Sequence, residues 1–148
     1  MSYLIDINVW LALSWRLHPH SGTAHQWFAT LPKSKIGILF CRITQLGLLR
    51  LLANEQVMGG SVLTVNGAFS IFDRWCEDPR VEMAVESKSL ESAFRGAALG
   101  FGNRAATKAI MDAYLVGFAG SVNATLVTFD KPLSKSAKRG GIDYLQLG

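Results

Sequence analysis

Four short stretches of this sequence, residues 3–5, 35–41, 81–85 and 124–128, are mostly apolar, and 35–41 is apolar almost throughout. A strand with one wet face alternates apolar and polar residues, whereas a strand covered on both faces does not. Between these stretches lie segments whose apolar residues recur at helical spacing: 9–15, 23–31, 43–54, 67–76, 87–99 and 104–120. Short buried strands alternating with helices imply βα crossovers and a mostly parallel sheet of four strands, with residues 144–147 as a candidate fifth. Residues 18–22 and the Gly100-Phe101-Gly102 step read as breaks, and residues 56–66, which contain Gly59-Gly60, read as a loop.

The 148 residues suit one domain spanning 1–148 and are too few for two ordinary ones. With 49% apolar and 18% charged residues, the chain fits neither the disordered nor the charge-solvated class. Fifteen Lys and Arg against eleven Asp and Glu give a net charge of +4, compatible with a phosphate-bearing partner. Cys41 and Cys76 match neither a zinc pattern nor a disulfide framework, so two reduced thiols in a cytoplasmic protein are expected. The first residues lack the basic start of a signal peptide, and no apolar run reaches the ~18 residues of a membrane span.

In an open parallel sheet, functional groups collect beyond the C-terminal ends of the strands. Asp6 directly follows the first strand and Asp130 follows the fourth, while Asp112 sits in the apolar helical run Ile110-Met111-Asp112-Ala113-Tyr114-Leu115-Val116. A carboxylate buried there needs a cation, a hydrogen-bond network or a metal ion. If the first and fourth strands are neighbours, the three aspartates converge on one sheet edge. That arrangement suits phosphodiester cleavage with Mg²⁺ or Mn²⁺, which prefer oxygen ligands and need only one to three carboxylates. Each aspartate also has an ordinary structural role open to it. Asp6 and Asp130 can cap the helices that follow them, and Asp112 can pair with Lys108 one turn earlier.

Three segments, in order, resemble the motifs of PIN domains. Leu4-Ile5-Asp6-Ile7-Asn8 is similar to the opening hydrophobic-hydrophobic-Asp-x-Asn motif. Asp112-Ala113 is similar to the Asp-Ala pair of the third, and Thr128-Phe129-Asp130 to the strand-ending Thr-x-Asp of the fourth. The small size is like that of VapC-type toxins of bacterial type II toxin–antitoxin pairs. The resemblance implies a three-layer α/β/α fold and a Mg²⁺- or Mn²⁺-dependent endoribonuclease with Asp6, Asp112 and Asp130 as catalytic and metal-binding residues. It also implies an RNA substrate, a cognate antitoxin that covers the site, and a homodimer. The second family motif, Thr-x-x-Glu, meets Thr44-Gln45-Leu46-Gly47, so Gly47 stands where a glutamate is expected. A scaffold that binds RNA or a partner without turnover is therefore the alternative function.

Further candidates surround these residues. Asn8 and Thr128 could orient a ligand carboxylate, against helix capping and strand filling. Thr44 or Gln45 could supply a neutral oxygen, and Arg50 could touch phosphate or form a surface ion pair. Lys131, Lys135, Lys138 and Arg139 form a run with no anion, either a solvated segment or a phosphate-tracking rim beside Asp130. His18, His20 and His25 lack the cysteine or carboxylate company of a zinc site. Trp10, Trp27, Phe28, Phe69 and Trp75 are expected in the core or at a dimer contact.

Overall fold

The computed structural model describes all residues, 1–148. Five parallel strands, β1 (Ser2–Ile5), β2 (Gly37–Phe40), β3 (Val81–Met83), β4 (Thr125–Thr128) and β5 (Tyr144–Gln146), form one sheet in the order β3-β2-β1-β4-β5. The helices are α1 (Ile7–Ser14), α2 (Ser21–Ala29), α3 (Arg42–Leu52), α4 (Glu55–Met58), α5 (Val65–Cys76), α6 (Leu90–Ala98), α7 (Thr107–Ser121) and α8 (Lys131–Arg139).

Side chains alternate along a strand, so each strand feeds two cores. Ile5, Ile38, Phe40 and Val127 point to one face, where they pack with α1, α2, α3 and α5. Leu4, Leu39 and Leu126 point to the other, where they pack with Leu115, Val116 and Phe118 of α7 and Leu133 and Ala137 of α8. The result is the expected three-layer α/β/α arrangement, and the unbroken apolar runs of β1 and β2 follow from it. Trp10 and Phe40 stack at 3.8 Å in the first core, and the Trp75 indole donates a 2.9 Å hydrogen bond to Ser14 across it. Phe69, by contrast, is exposed.

Two segments correct the expectations. Residues 131–139, read as a basic segment, are helix α8: Asp130 caps it, and Pro132 sits in its first turn, where a missing N–H costs nothing. Residues 56–66 are not all loop. Asn54 accepts from the Gln56 N–H and starts the short α4, and a 3₁₀ turn follows over Gly59–Ser61.

The strand order fixes where the site lies. From β1 the chain winds outward through β2 and β3, then returns to the other side of β1 as β4 and β5. The order therefore reverses between β1 and β4, and the crevice of such a sheet opens beyond the C-terminal ends of those two strands.

Candidate active site

Asp6 is the first residue past β1. The pairing register places Ile5 beside Val127, so Asp6 lies level with Thr128, and the Asp6 N–H donates to the Val127 carbonyl at 2.9 Å. Side chains level with each other on parallel strands point to the same face, here the face covered by α7 and α8. The Thr128 hydroxyl donates to Asp6 Oδ2 at 2.7 Å and accepts the Asp130 backbone N–H at 2.9 Å. One fully buried threonine thus ties the end of β1 to the turn after β4. Helix α7 runs back antiparallel to the strands, so its first two turns stand over the same crevice and bring in Asp112.

Lys108 completes the group. Its ammonium lies 3.2 Å from Asp112 Oδ2 and 2.6 Å from Asp130 Oδ2. Asp112 and Asp130 therefore come no farther apart than two short contacts to one cation laid end to end. The Lys108 side chain is 62% exposed, against 11% for Asp112 and 20% for Asp130, so the lysine reaches in from solvent and can leave without disturbing the core.

The electrostatics follow from burial. Asp6 is pushed above the usual carboxylate range, chiefly by removal from water; the Thr128 and Ile7 hydrogen bonds oppose this, and the charges of Asp130 and Asp112 add to it. Asp112 is raised for the same leading reason, with Lys108 opposing. Lys108 is raised overall, because its hydrogen bonds to Asp130 and Asp112 outweigh its own partial desolvation. Three carboxylates that repel one another, two of them costly to ionise in this setting, make a strong field for a small cation.

The capping roles and the cluster coexist. Asp6 Oδ1 accepts from the Ile7 N–H at 2.7 Å and Asp130 Oδ1 accepts from the Leu133 N–H at 3.3 Å. A carboxylate offers about four lone-pair directions, so one cap contact leaves room for further partners. The donor set is all oxygen, two-thirds of it deeply buried, and one cation already sits between two of its members. Oxygen donors of this kind are what hard divalent ions such as Mg²⁺ or Mn²⁺ take, but with the Lys108 ammonium between Asp112 and Asp130 no three acidic, histidine or cysteine side chains are placed to hold one ion together.

The remaining candidates separate. Asn8 is exposed in the first turn of α1 and bonds to none of the three aspartates; it is Thr128 that holds Asp6. Thr44 is fully buried and faces its own helix start: its hydroxyl accepts the Cys41 N–H at 3.0 Å and lies 3.0 Å from the Cys41 carbonyl oxygen. Gln45 is buried beside it, its amide oxygen accepting from Arg42 at 2.6 Å. Arg50 is exposed two turns along α3 and makes no ion pair. At Gly47 a Cβ would fall 2.3 Å from Ile7 Cδ1 and 2.6 Å from Ile7 Cγ1. Ile7 therefore packs into the space a side chain at position 47 would need.

Residues 3–139 match the family model described as PIN domain. The chain belongs to the PIN domain family. Among curated proteins it is similar to ribonuclease VapC41 of Mycobacterium tuberculosis, with 38% identity over 144 residues that cover 95% of this chain and 94% of that one. Among solved structures, VapBC2 from Rickettsia felis, bound to a DNA fragment from its promoter, superposes with a TM-score of 0.72 at 14% identity over 100% of both chains. The sarcin–ricin loop cleaving toxin VapC20 of M. tuberculosis gives 0.66 at 16% identity, over 90% of this chain and 94% of that one. These two likenesses establish the fold. In this PIN domain the three motif aspartates are the three residues that Thr128 and Lys108 hold together.

Proposed function

We propose that this PIN domain is a metal-dependent endoribonuclease acting as the toxin of a toxin–antitoxin pair. The observation that carries the reading is the convergence of Asp6, Asp112 and Asp130 at the switch point between β1 and β4, where the exposed Lys108 is the one cation ion-paired with them. Kinship with ribonuclease VapC41 over nearly the whole chain supports RNA as the substrate.

Asp6, Asp112 and Asp130 would hold Mg²⁺ or Mn²⁺, which when bound polarises a phosphodiester and makes water a better nucleophile. Thr128 fixes the Asp6 carboxylate in one orientation. Lys108, an exposed ammonium held only by the two carboxylates, would exchange that contact for the phosphate once a metal neutralises them. The positive α8 beside Asp130 attracts the RNA backbone. A cognate antitoxin, assembly as a homodimer and a cytoplasmic site of action belong to the same proposal. Similarity to VapBC2 supports the antitoxin, and no helix is long and apolar enough to cross a membrane.

The test uses purified protein and labelled structured RNA. Cleavage is expected with Mg²⁺ or Mn²⁺, absent with EDTA, and lost in Asp6→Asn and Asp112→Asn variants that still melt cooperatively. Metal-dependent cleavage retained in either variant refutes the assignment. In cells, induction should arrest growth, and co-expression of the cognate antitoxin should relieve it. The second reading, a scaffold that binds RNA or a partner without turnover, is favoured by one observation, the Ile7 packing that replaces an acid at position 47. It predicts metal-dependent binding of RNA with no cut product.

A further inference from the structure

A groove of about 290 Å³ opens beside the carboxylates, between α7 and α8, near the lower end of the range for small-ligand sites. Asp112 lines it, so it is continuous with the aspartate cluster, and Asp112 is its only acid. Lys108, Lys135 and Arg139 are its cations; the last two are four residues apart on α8 and share one face.

Arg139 is held in an unusual way. Its guanidinium lies 4.4 Å from the centre of the Phe101 ring, and that of Arg104 lies 5.0 Å from the same ring. The chain approaches closely at Gly100, where a Cβ would come 3.1 Å from Arg139 Nε. Yet Arg139, Arg104 and Lys135 form no salt bridge, and the one hydrogen bond from Arg139 is a long 3.4 Å contact to Ser136. An aromatic ring positions this arginine where an acid commonly would, and most of its N–H donors stay free. A stacked, unpaired guanidinium beside a lysine is a good receiver for a phosphodiester, which it can meet with two parallel hydrogen bonds.

We propose that this groove is the subsite for the nucleotide next to the scissile bond, with Lys135 and Arg139 holding its phosphate and Phe101 holding Arg139. The proposal rests on the ribonuclease reading for its position in the RNA, but not for the binding itself. It assigns residues 99–105 a function: they carry the ring that aims Arg139.

Binding is read in an Asp6→Asn background by fluorescence anisotropy of a labelled single-stranded RNA. Lys135→Gln and Arg139→Gln should each weaken binding about fivefold and lower the slope of log affinity against log salt by about 0.7 per cation removed. Phe101→Leu should reproduce the Arg139→Gln loss. If Arg139→Gln folds poorly, Lys135→Gln carries the test alone, since Lys135 is exposed and makes no ion pair. Otherwise wild-type chain, Lys135→Gln and Arg139→Gln are compared on full-length RNA and on RNAs shortened from either end. Shortening from one end should remove most of the difference among them in kcat/KM. Wild-type binding and salt slope in Lys135→Gln and Arg139→Gln overturn the subsite. Binding losses in Lys135→Gln and Arg139→Gln, together with a wild-type chain that never cuts RNA, leave the groove standing and overturn the nuclease reading instead.

Discussion

Replacing Thr128 with valine tests the join between β1 and β4. The two side chains are nearly the same shape, so packing changes little while the hydroxyl disappears. Two interactions go with it: the 2.7 Å donation to Asp6 Oδ2 and the 2.9 Å acceptance from the Asp130 N–H. A hydrogen bond to a charged group contributes about 1.5–3 kcal/mol, and a buried N–H left without an acceptor costs about 1–3 kcal/mol. The Asp130 amide is only part-buried, so water recovers some of the second term. A net loss of about 2–4 kcal/mol near neutral pH is expected, within the ~5–15 kcal/mol total of a domain. The loss also depends on pH. Burial raises Asp6 in the folded state and Thr128 opposes that rise, so the valine variant raises it further. A group raised on folding stabilises below its unfolded value and loses that contribution as pH climbs through its folded value. The valine variant should thus suffer most at about pH 8 and less as pH falls into the ordinary carboxylate range. Urea unfolding in EDTA across that pH range measures it. A variant within about 0.5 kcal/mol of wild type at every pH, or one that suffers more in acid, would refute the reasoning.

Other consequences follow from the same geometry. Gly47→Glu should destabilise by about 1–3 kcal/mol, because the new side chain overlaps Ile7. Adding Ile7→Ala should recover much of that cost, which a double-mutant cycle in urea would show as a coupling energy. Lys108→Met should raise Mn²⁺ affinity, since it removes the cation that competes for Asp112 and Asp130; calorimetric titration reading equal or weaker affinity would contradict this. In EDTA, the raised Asp6 and Asp112 should make wild-type stability decline as pH rises through their folded values. Saturating Mg²⁺ should offset that decline, because metal binds the ionised forms. Thermal melts with and without Mg²⁺ read both effects.

The parallel sheet was legible because residues 3–5 and 35–41 are apolar without alternation and helical segments separate the short apolar strands, and its C-terminal edge was legible because Asp6 and Asp130 stand directly after two of them. The pairing of Asp112 with Lys108 is a local, one-turn relation and was visible as such. The reach of Lys108 to Asp130, across 22 residues, was not, because it depends on how α7 lies over β4. Helix α8 was missed although its signals were present. Asp130 as cap and Pro132 just inside the start mark a helix, but only Leu133 and Ala137 supply its buried apolar face, so the helical periodicity is weak. Boundaries also shifted where packing decides them: α7 starts at Thr107 and not at Arg104, and β3 ends at Met83. Phe101 looked like part of a glycine turn, and nothing in residues 99–105 reveals that its ring meets Arg139 from another element. Gly47 was visible as a departure from the family motif; its physical reason, the Ile7 side chain, needed the contact between α1 and α3.

The most direct test of a shared carboxylate site is electron paramagnetic resonance of Mn²⁺ titrated into the purified chain, wild type against Asp6→Asn, Asp112→Asn and Asp130→Asn. A site built by all three aspartates predicts saturable binding of Mn²⁺ by the wild type and a large loss of affinity in each variant. Wild-type affinity in any of the three would contradict it.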